Sequence, residues 1–126
     1  MPETQKTVLV VDDSGSVRQQ VAMALRRAGF ALVEAADGRE GLAMLAANKN
    51  IDMVICDINM PNMNGLEMVE KVKSQPENKS LPILMLTTEG QPSMVKRAKE
   101  AGAVGWLVKP FNSVQLVQTV SRLTEG

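Results

Sequence analysis

Histidine is absent from this chain of 126 residues. Its absence excludes a histidine-based catalytic triad, a histidine-rich metal site and a role as a phosphohistidine carrier. Cysteine occurs once, as Cys56 inside an apolar run, so the chain has neither a disulfide framework nor a thiolate metal cluster. A lone thiol of this kind fits a reducing compartment, and we expect a cytoplasmic location.

An excess charge of one sign and long apolar runs are missing as well. The 14 Lys and Arg residues balance the 14 Asp and Glu residues, so the composition does not favour a sequence-independent grip on nucleic acid or an anionic membrane. No run approaches the ~18 apolar residues that are needed to cross a bilayer. We therefore expect one domain whose partners are proteins or small ions, with no nucleic acid and no membrane.

The chain does contain short apolar runs that alternate with longer segments of helical period. The runs, each predicted to form a strand, are Thr7 to Val11, Ala31 to Ala35, Met53 to Asp57, Ile83 to Thr87 and Val104 to Val108. This alternation predicts a doubly wound α/β fold, with a parallel sheet and helices on both of its faces.

Polar residues and glycines punctuate the predicted helices. Helix starts are indicated at three capping positions: Ser14 or Ser16, Asp37 and Asn112. Gly29 and Gly102 stand where helices are expected to end in the left-handed conformation. The polar segment 74–80 is predicted to be a loop within the domain.

The strand order follows from where polar residues collect. They follow strands 1, 3, 4 and 5, whereas strand 2 ends in Ala35 and Ala36. Strand 2 is therefore the expected edge, which gives the flavodoxin-like order 2-1-3-4-5. This order opens a crevice where strands 1 and 3 meet, at the carboxyl ends of the strands.

Three carboxylates are predicted to meet in that crevice. Asp12 and Asp13 follow strand 1, and Asp57 ends strand 3. Two such charges ~4 Å apart repel by about 4 kcal/mol at an effective dielectric constant of about 20, so either pKa values rise or a divalent cation neutralises the set. Oxygen ligands without nitrogen or sulfur donors favour Mg²⁺ as that cation.

Hydroxyl groups and a lysine follow the last two strands of the same sheet. Thr87 and Thr88 offer donors to a phosphoryl oxygen, and Lys109 offers a positive charge. Singly, Asp13 is explained as a helix cap, Thr87 as a backbone-bonded hydroxyl and Lys109 as a solvated charge. Their joint placement at one sheet edge favours a functional site, and its chemistry matches phosphoryl transfer.

Four segments together resemble the response-regulator receiver family, and more closely its single-domain chemotaxis members of CheY type. They are residues 10–14 (VVDDS), 57–65 (DINMPNMNG), 86–89 (LTTE) and 101–111 (AGAVGWLVKPF). The resemblance spans essentially the whole chain. It implies one receiver domain over residues 1–126, with a flexible N-terminal segment at residues 1–6.

The resemblance implies a role for each residue of the acidic site. Asp57 would accept a phosphoryl group from the histidine of a partner kinase. Asp13 and Asp57 would bind Mg²⁺ directly, and Asp12 would act through metal-bound water. Asn59 would ligate the metal by its backbone carbonyl, while the side chains of Asn59 and Glu89 would tune hydrolysis of the acyl phosphate.

The resemblance also implies a switch that reads the modification. Thr87 and Lys109 would contact the phosphoryl oxygens, and the Thr87 hydroxyl would couple to the aromatic position of Trp106. That position is commonly Tyr or Phe in the family, so the larger indole is a departure from the pattern. The alternative is a half-buried strand tryptophan with no switching role.

The expected output surface combines this aromatic position with the fourth helix. Its predicted members are Gln91, Lys96, Lys99 and Trp106, although such a charge cluster is often only solvated. The implied partners are a histidine kinase as phosphodonor and a downstream protein such as a motor switch or a regulatory protein. A phosphatase is a further implied partner.

We therefore predict a phosphorylation-dependent signalling switch of a two-component, chemotaxis-like system. It is not expected to be an enzyme beyond catalysing its own phosphotransfer and dephosphorylation. One alternative is a phosphate sink without an output partner, and another is a Mg²⁺-dependent phosphohydrolase with an aspartyl-phosphate intermediate. The hydrolase is disfavoured because its pattern separates nucleophile and acid by one residue, whereas Asp12 and Asp13 are adjacent.

Overall fold

The chain folds as the predicted alternation of strands and helices, described by a computed structural model over residues 5–60, 63–88 and 90–125. The strands are β1 (Thr7–Val11), β2 (Ala31–Ala35), β3 (Met53–Cys56), β4 (Ile83–Thr87) and β5 (Gly105–Val108). The helices are α1 (Gly15–Arg27), α2 (Gly38–Ala47), α3 (Gly65–Lys73), α4 (Pro92–Ala101) and α5 (Ser113–Thr124).

The sheet has the order β2-β1-β3-β4-β5 with every neighbouring pair parallel, which confirms the predicted topology. Val11 of β1 lies opposite Cys56 of β3 in the register. The amide N–H of Asp57 donates to the carbonyl of Val11 at 3.1 Å. Asp12 and Asp57 therefore leave two adjacent strands at the same level of the sheet.

Apolar side chains cover both faces of the sheet. One cluster lies under α2, α3 and α4 and includes Leu9, Met68 and Ala98. The other lies under α1 and α5 and includes Leu25 and Leu116. Because both faces are buried, the central strands are continuous apolar runs and only their ends are free to carry polar chemistry.

The predicted helix caps are confirmed, and the choice between two serines is settled. Ser14 caps α1, Asp37 caps α2 and Asn112 caps α5, each by accepting a backbone N–H with its side chain. Gly102 ends α4 with a φ of 119°, and Gly29 follows α1 with a φ of 97°. Both glycines therefore occupy the left-handed region that favours glycine.

Two strand boundaries and one loop segment differ from the prediction. β3 ends at Cys56, one residue before Asp57, and β5 begins at Gly105 instead of Val104. Val104 still donates its N–H to Ile83, but its side chain is 54% exposed, so it lies at the margin of the sheet. A short 3₁₀ helix over Pro76–Asn78 interrupts the segment that was predicted to be only a loop.

The N-terminal segment at residues 1–6 lies mostly outside the described residues, which begin at Gln5. The carbonyl of Lys6 accepts the N–H of Ala31 at 2.9 Å, next to the start of the β1–β2 pairing. Among the helices of the described ranges, none is both long enough and apolar enough to span a membrane.

Candidate functional site

Asp12, Asp13 and Asp57 converge at the carboxyl ends of β1 and β3. One carboxylate oxygen from each residue lies within 4.8 Å of the other two. Asp12 and Asp57 are buried, with exposed fractions of 2% and 6%, whereas Asp13 is exposed. The strand order thus brings together the three carboxylates that the sequence placed at the strand ends.

Lys109 reaches this carboxylate cluster from the end of β5. Its Nζ donates to Asp12 Oδ2 at 2.7 Å and to Asp57 Oδ2 at 3.0 Å. Its backbone N–H donates to the carbonyl of Thr87 at 2.9 Å, which extends the β4–β5 pairing by one residue. The sequence predicts a lysine charge at this edge of the sheet, and the structure adds that this charge bridges Asp12 and Asp57 directly.

The shared ammonium and the burial act in opposite directions on the pKa values of the site. Burial raises the pKa of Asp12, although hydrogen bonds from Lys109 and from the Ser14 N–H pull it down in part. Burial lowers the pKa of Lys109, but the hydrogen bonds and the charge attraction to the two carboxylates together outweigh it, and the net shift is upward. The site therefore favours the charged form of Lys109, while burial disfavours the charged form of Asp12.

Backbone groups fix the orientation of the two buried carboxylates. Ser14 N–H donates to Asp12 Oδ1 at 2.9 Å, and Asn59 N–H donates to Asp57 Oδ1 at 3.4 Å. A Cβ at Gly65 would lie 2.1 Å from the carbonyl oxygen of Asp57, so only glycine allows α3 to begin this close to the site. Each buried carboxylate is thus held by Lys109 through one oxygen and by the backbone through the other.

The donor set fits a hard divalent cation such as Mg²⁺. The ligands are carboxylate oxygens only, and Mg²⁺ is bound through one or two carboxylates together with water. Within the described part of the chain, no hydrogen bond or ion pair engages the exposed carboxylate of Asp13. Asp13 therefore has the oxygen that can turn to a metal without breaking an existing contact.

Thr87 lies in β4 and Trp106 in β5, the two strands that follow β3 on the side of the sheet away from β1. Thr87 ends β4 fully buried, opposite Val108, and Trp106 is half-buried opposite Met85. Because side chains alternate along a strand and paired residues of parallel strands share a face, Thr87 and Trp106 point to the same side of the sheet. This face is covered by the apolar cluster that Trp106 packs against.

The remaining predicted site residues fall into three groups. Asn59 is exposed beside Asp57, and Thr88 is exposed next to Lys109 in the wall of a groove between α1 and α5. Gln91, Lys96 and Lys99 are exposed at α4, as an output surface requires. Glu89 lies outside the described residues.

Arg18 is a site residue that the sequence argument missed. Its guanidinium donates from Nη1 to the backbone carbonyl of Asp12. The sequence leaves open whether Ser14 or Ser16 caps the helix, so it does not show that Arg18 lies over the end of β1. That position follows only from the observed start of α1 at Gly15.

The chain matches a family model described as the response regulator receiver domain over residues 8–121. It is 44% identical over 105 residues to chemotaxis protein CheY1 of Helicobacter pylori, which covers 82% of this chain and 85% of that protein. It is 42% identical over 105 residues to a CheY homologue of Campylobacter jejuni, with 82% and 81% covered.

Solved structures show the same similarity. The structure of Vibrio cholerae chemotaxis protein CheY4 superposes with a TM-score of 0.90 at 48% identity, covering 95% of this chain and 99% of that one. A CheX–CheY–BeF3–Mg²⁺ complex from Borrelia burgdorferi gives a TM-score of 0.89 at 29% identity, with 96% and 90% covered. The fold and the sequence therefore point to the same group of relatives.

Proposed function

The chain belongs to the response regulator receiver family and is of CheY type, and from this premise we propose that it is a phosphorylation-dependent switch in a chemotaxis-like two-component system. Proteins of this type are signalling proteins, not enzymes that turn over a substrate. The observation that carries the proposal is the bridge of Lys109 Nζ between Asp12 and Asp57. It places a fixed positive charge on a buried carboxylate that lies beside two further carboxylates.

Asp57 is the proposed phosphoryl acceptor. A carboxylate oxygen of Asp57 attacks the phosphorus of a phosphohistidine on the partner kinase, and a P–O bond forms as the P–N bond breaks. The bonding electron pair stays with the imidazole nitrogen, which takes up a proton. Lys109, 3.0 Å from Asp57 Oδ2, balances the negative charge of the phosphoryl oxygens, and Thr87 and Thr88 are proposed to donate hydroxyl hydrogen bonds to them.

Mg²⁺ is the proposed cofactor of this reaction. Asp13 and Asp57 would hold it directly, Asp12 through a water molecule and Asn59 through its backbone carbonyl. When bound, the ion supplies charge neutralisation to the transferring phosphoryl group. The fit of the donor set and the Mg²⁺ in the complex described for the Borrelia relative support this assignment. Asn59 and Glu89 are proposed to border the phosphoryl group and set its rate of hydrolysis.

The signal is proposed to leave through the face around Trp106. Modification of Asp57 draws the Thr87 hydroxyl toward the phosphoryl group, and Trp106 on the same side of the sheet follows. A downstream protein then docks on Gln91, Lys96 and Lys99, which are exposed. The Borrelia relative is described in complex with another protein, CheX, which supports signalling by contact. We propose a cytoplasmic location, a histidine kinase as donor and a phosphatase as a further partner.

A labelling experiment tests the acceptor assignment. Wild-type protein, Asp57→Asn and Asp52→Asn are incubated with a small radiolabelled phosphodonor, with Mg²⁺ or with a chelator. Asp52 lies at the opposite end of β3, where its carboxylate accepts the N–H of Thr7 at 2.8 Å, so it is the matched control. We expect label in the wild type and Asp52→Asn with Mg²⁺ only, and none in Asp57→Asn. Wild-type levels of label in Asp57→Asn would show that the assignment is wrong.

A further inference from the structure

The turn between β1 and α1, which carries Asp12 and Asp13, is held by a contact from α1. Arg18 lies in the first turns of α1 and donates from Nη1 to the backbone carbonyl of Asp12. That carbonyl belongs to the peptide group that joins the two acidic residues. A guanidinium that is hydrogen-bonded to this carbonyl fixes the peptide plane from which the Asp13 side chain projects.

Glu34 in β2 orients the guanidinium from the other side. Its Oε1 lies 3.4 Å from Arg18 Nε, and its Oε2 lies 3.9 Å from Nη2 of Arg26. Val10 of β1 is the register partner of Glu34, so the carboxylate projects from a strand fixed beside β1. Glu34 therefore orients the Arg18 side chain toward the Asp12 carbonyl. It also partly neutralises the positive charge of Arg18 near the proposed cation site.

We propose that Arg18, oriented by Glu34, is a positioning residue of the metal site. It holds the Asp12–Asp13 peptide in the orientation in which both carboxylates can share one divalent cation with Asp57. This inference rests on the proposed function, since it presumes that Mg²⁺ binds there.

The direction in which the loss of Arg18 changes the Mg²⁺ dissociation constant distinguishes a positioning role from a purely electrostatic effect. A positive charge near a cation site repels the cation, so by Coulomb's law alone the loss of Arg18 would tighten Mg²⁺ binding. If Arg18 instead positions the ligands, its loss weakens binding, because the Asp12–Asp13 peptide is then free to turn. The two accounts predict opposite changes in the same dissociation constant.

The experiment measures Mg²⁺ dissociation constants by calorimetry for the wild type, Arg18→Ala, Arg18→Lys and Arg26→Ala. We expect Arg18→Ala to weaken binding roughly 10-fold or more, as is common for partners that orient metal ligands. Arg18→Lys, which keeps a charged donor, should recover part of the loss. Arg26→Ala is the matched control: it removes an arginine of the same helix that contacts Glu34, and should change the constant by less than about twofold.

Unfolding in urea with a chelator shows whether each variant is folded and reports any metal-independent loss of stability. Arg18→Gln, with similar reach, provides the same comparison if Arg18→Ala does not fold. Unchanged or tighter Mg²⁺ binding in the folded Arg18 variants, with normal binding in the wild type, overturns this inference alone. Wild-type protein that binds no Mg²⁺ overturns the proposed metal site as well as the inference.

Discussion

Helices α3 and α4 cover the same face of the sheet, yet they bury very different surfaces. The buried residues of α3 are Gly65, Leu66, Met68, Val69 and Val72, whereas α4 buries Ala98 alone. The strands repeat this contrast, since β1 is buried throughout and β5 is half-buried or exposed at every position. The carboxylate site thus belongs to a tightly packed half, and the face around Trp106 belongs to a loosely packed half.

This difference in packing fits the two tasks that the proposed function gives to these regions. Phosphoryl transfer needs fixed groups, and Asp12 and Asp57 are each held by hydrogen bonds to both carboxylate oxygens. A signalling face has to rearrange, and a segment with few buried apolar groups does so at lower free-energy cost. Lys109 connects the halves, because it follows β5 in the loose half and bonds to carboxylates of the tight half.

Replacing Lys109 with methionine should break that connection, with the largest effect on stability. Two buried carboxylates would lose their shared cation, and removing one partner of a buried ion pair costs roughly 3–5 kcal/mol in the free energy of unfolding. Mg²⁺ should restore part of the loss, since it would neutralise the same carboxylates. Urea unfolding of Lys109→Met with a chelator and with Mg²⁺ measures both effects.

Lys99→Met is the matched control for this substitution, because Lys99 is exposed on α4. We expect a change within about 0.5 kcal/mol for an exposed site of this kind. Equal stabilities of Lys109→Met and Lys99→Met would contradict the role given to the Lys109 bridge.

Truncating one methionine on each helix should measure the difference in packing between α3 and α4. Met68 is 1% exposed and contacts the thiol of Cys56, whereas Met94 of α4 is only half-buried. Met68→Ala should cost roughly 2–5 kcal/mol in the free energy of unfolding, because it leaves a cavity in a packed core. Met94→Ala should cost clearly less in the same urea measurement, and similar losses for the two variants would show that the halves are packed alike.

Asp12→Asn should show a smaller effect that depends on pH. The pKa of Asp12 is higher in the folded protein than its ordinary value of 3.8, so the folded state binds this proton more tightly. The free energy of unfolding therefore falls as the pH rises through and above 3.8. Asn is neutral at every pH and still accepts the Ser14 N–H, and Lys109 keeps Asp57 as its partner, so we expect Asp12→Asn to be the more stable protein at neutral pH. The gain should shrink in acid, and a gain that grows in acid would contradict the shift.

The fold was predictable from the sequence because its signals are local. Apolar runs that are buried on both sides mark the strands, and Ser14, Asp37 and Asn112 mark helix starts through their own side chains. β2 could be placed at the edge because it runs into Ala35 and Ala36, whereas a polar residue ends or directly follows each of the other strands. The boundaries of β3 and β5 were missed by one residue, because backbone pairing defines where a strand ends and the side-chain pattern does not fix that pairing to the residue.

The convergence of the three carboxylates was predictable for the same reason, and so was a lysine at the same edge of the sheet, but the individual contacts were not. Lys109 contacts acids 97 and 52 positions away in the sequence, through a long flexible side chain whose direction no local pattern specifies. Arg18 contacts a backbone carbonyl, and a carbonyl has no signature in the sequence. Both contacts depend on how the elements pack.

The emission spectrum of Trp106, the single tryptophan of the chain, tests the central claim most directly. The spectrum is recorded for the wild type and Asp57→Asn before and after adding Mg²⁺ with beryllium fluoride as a phosphoryl mimic. If modification at Asp57 rearranges the loosely packed face, the wild-type spectrum changes and the Asp57→Asn spectrum does not. An unaltered wild-type spectrum, or the same change in both proteins, would contradict the account.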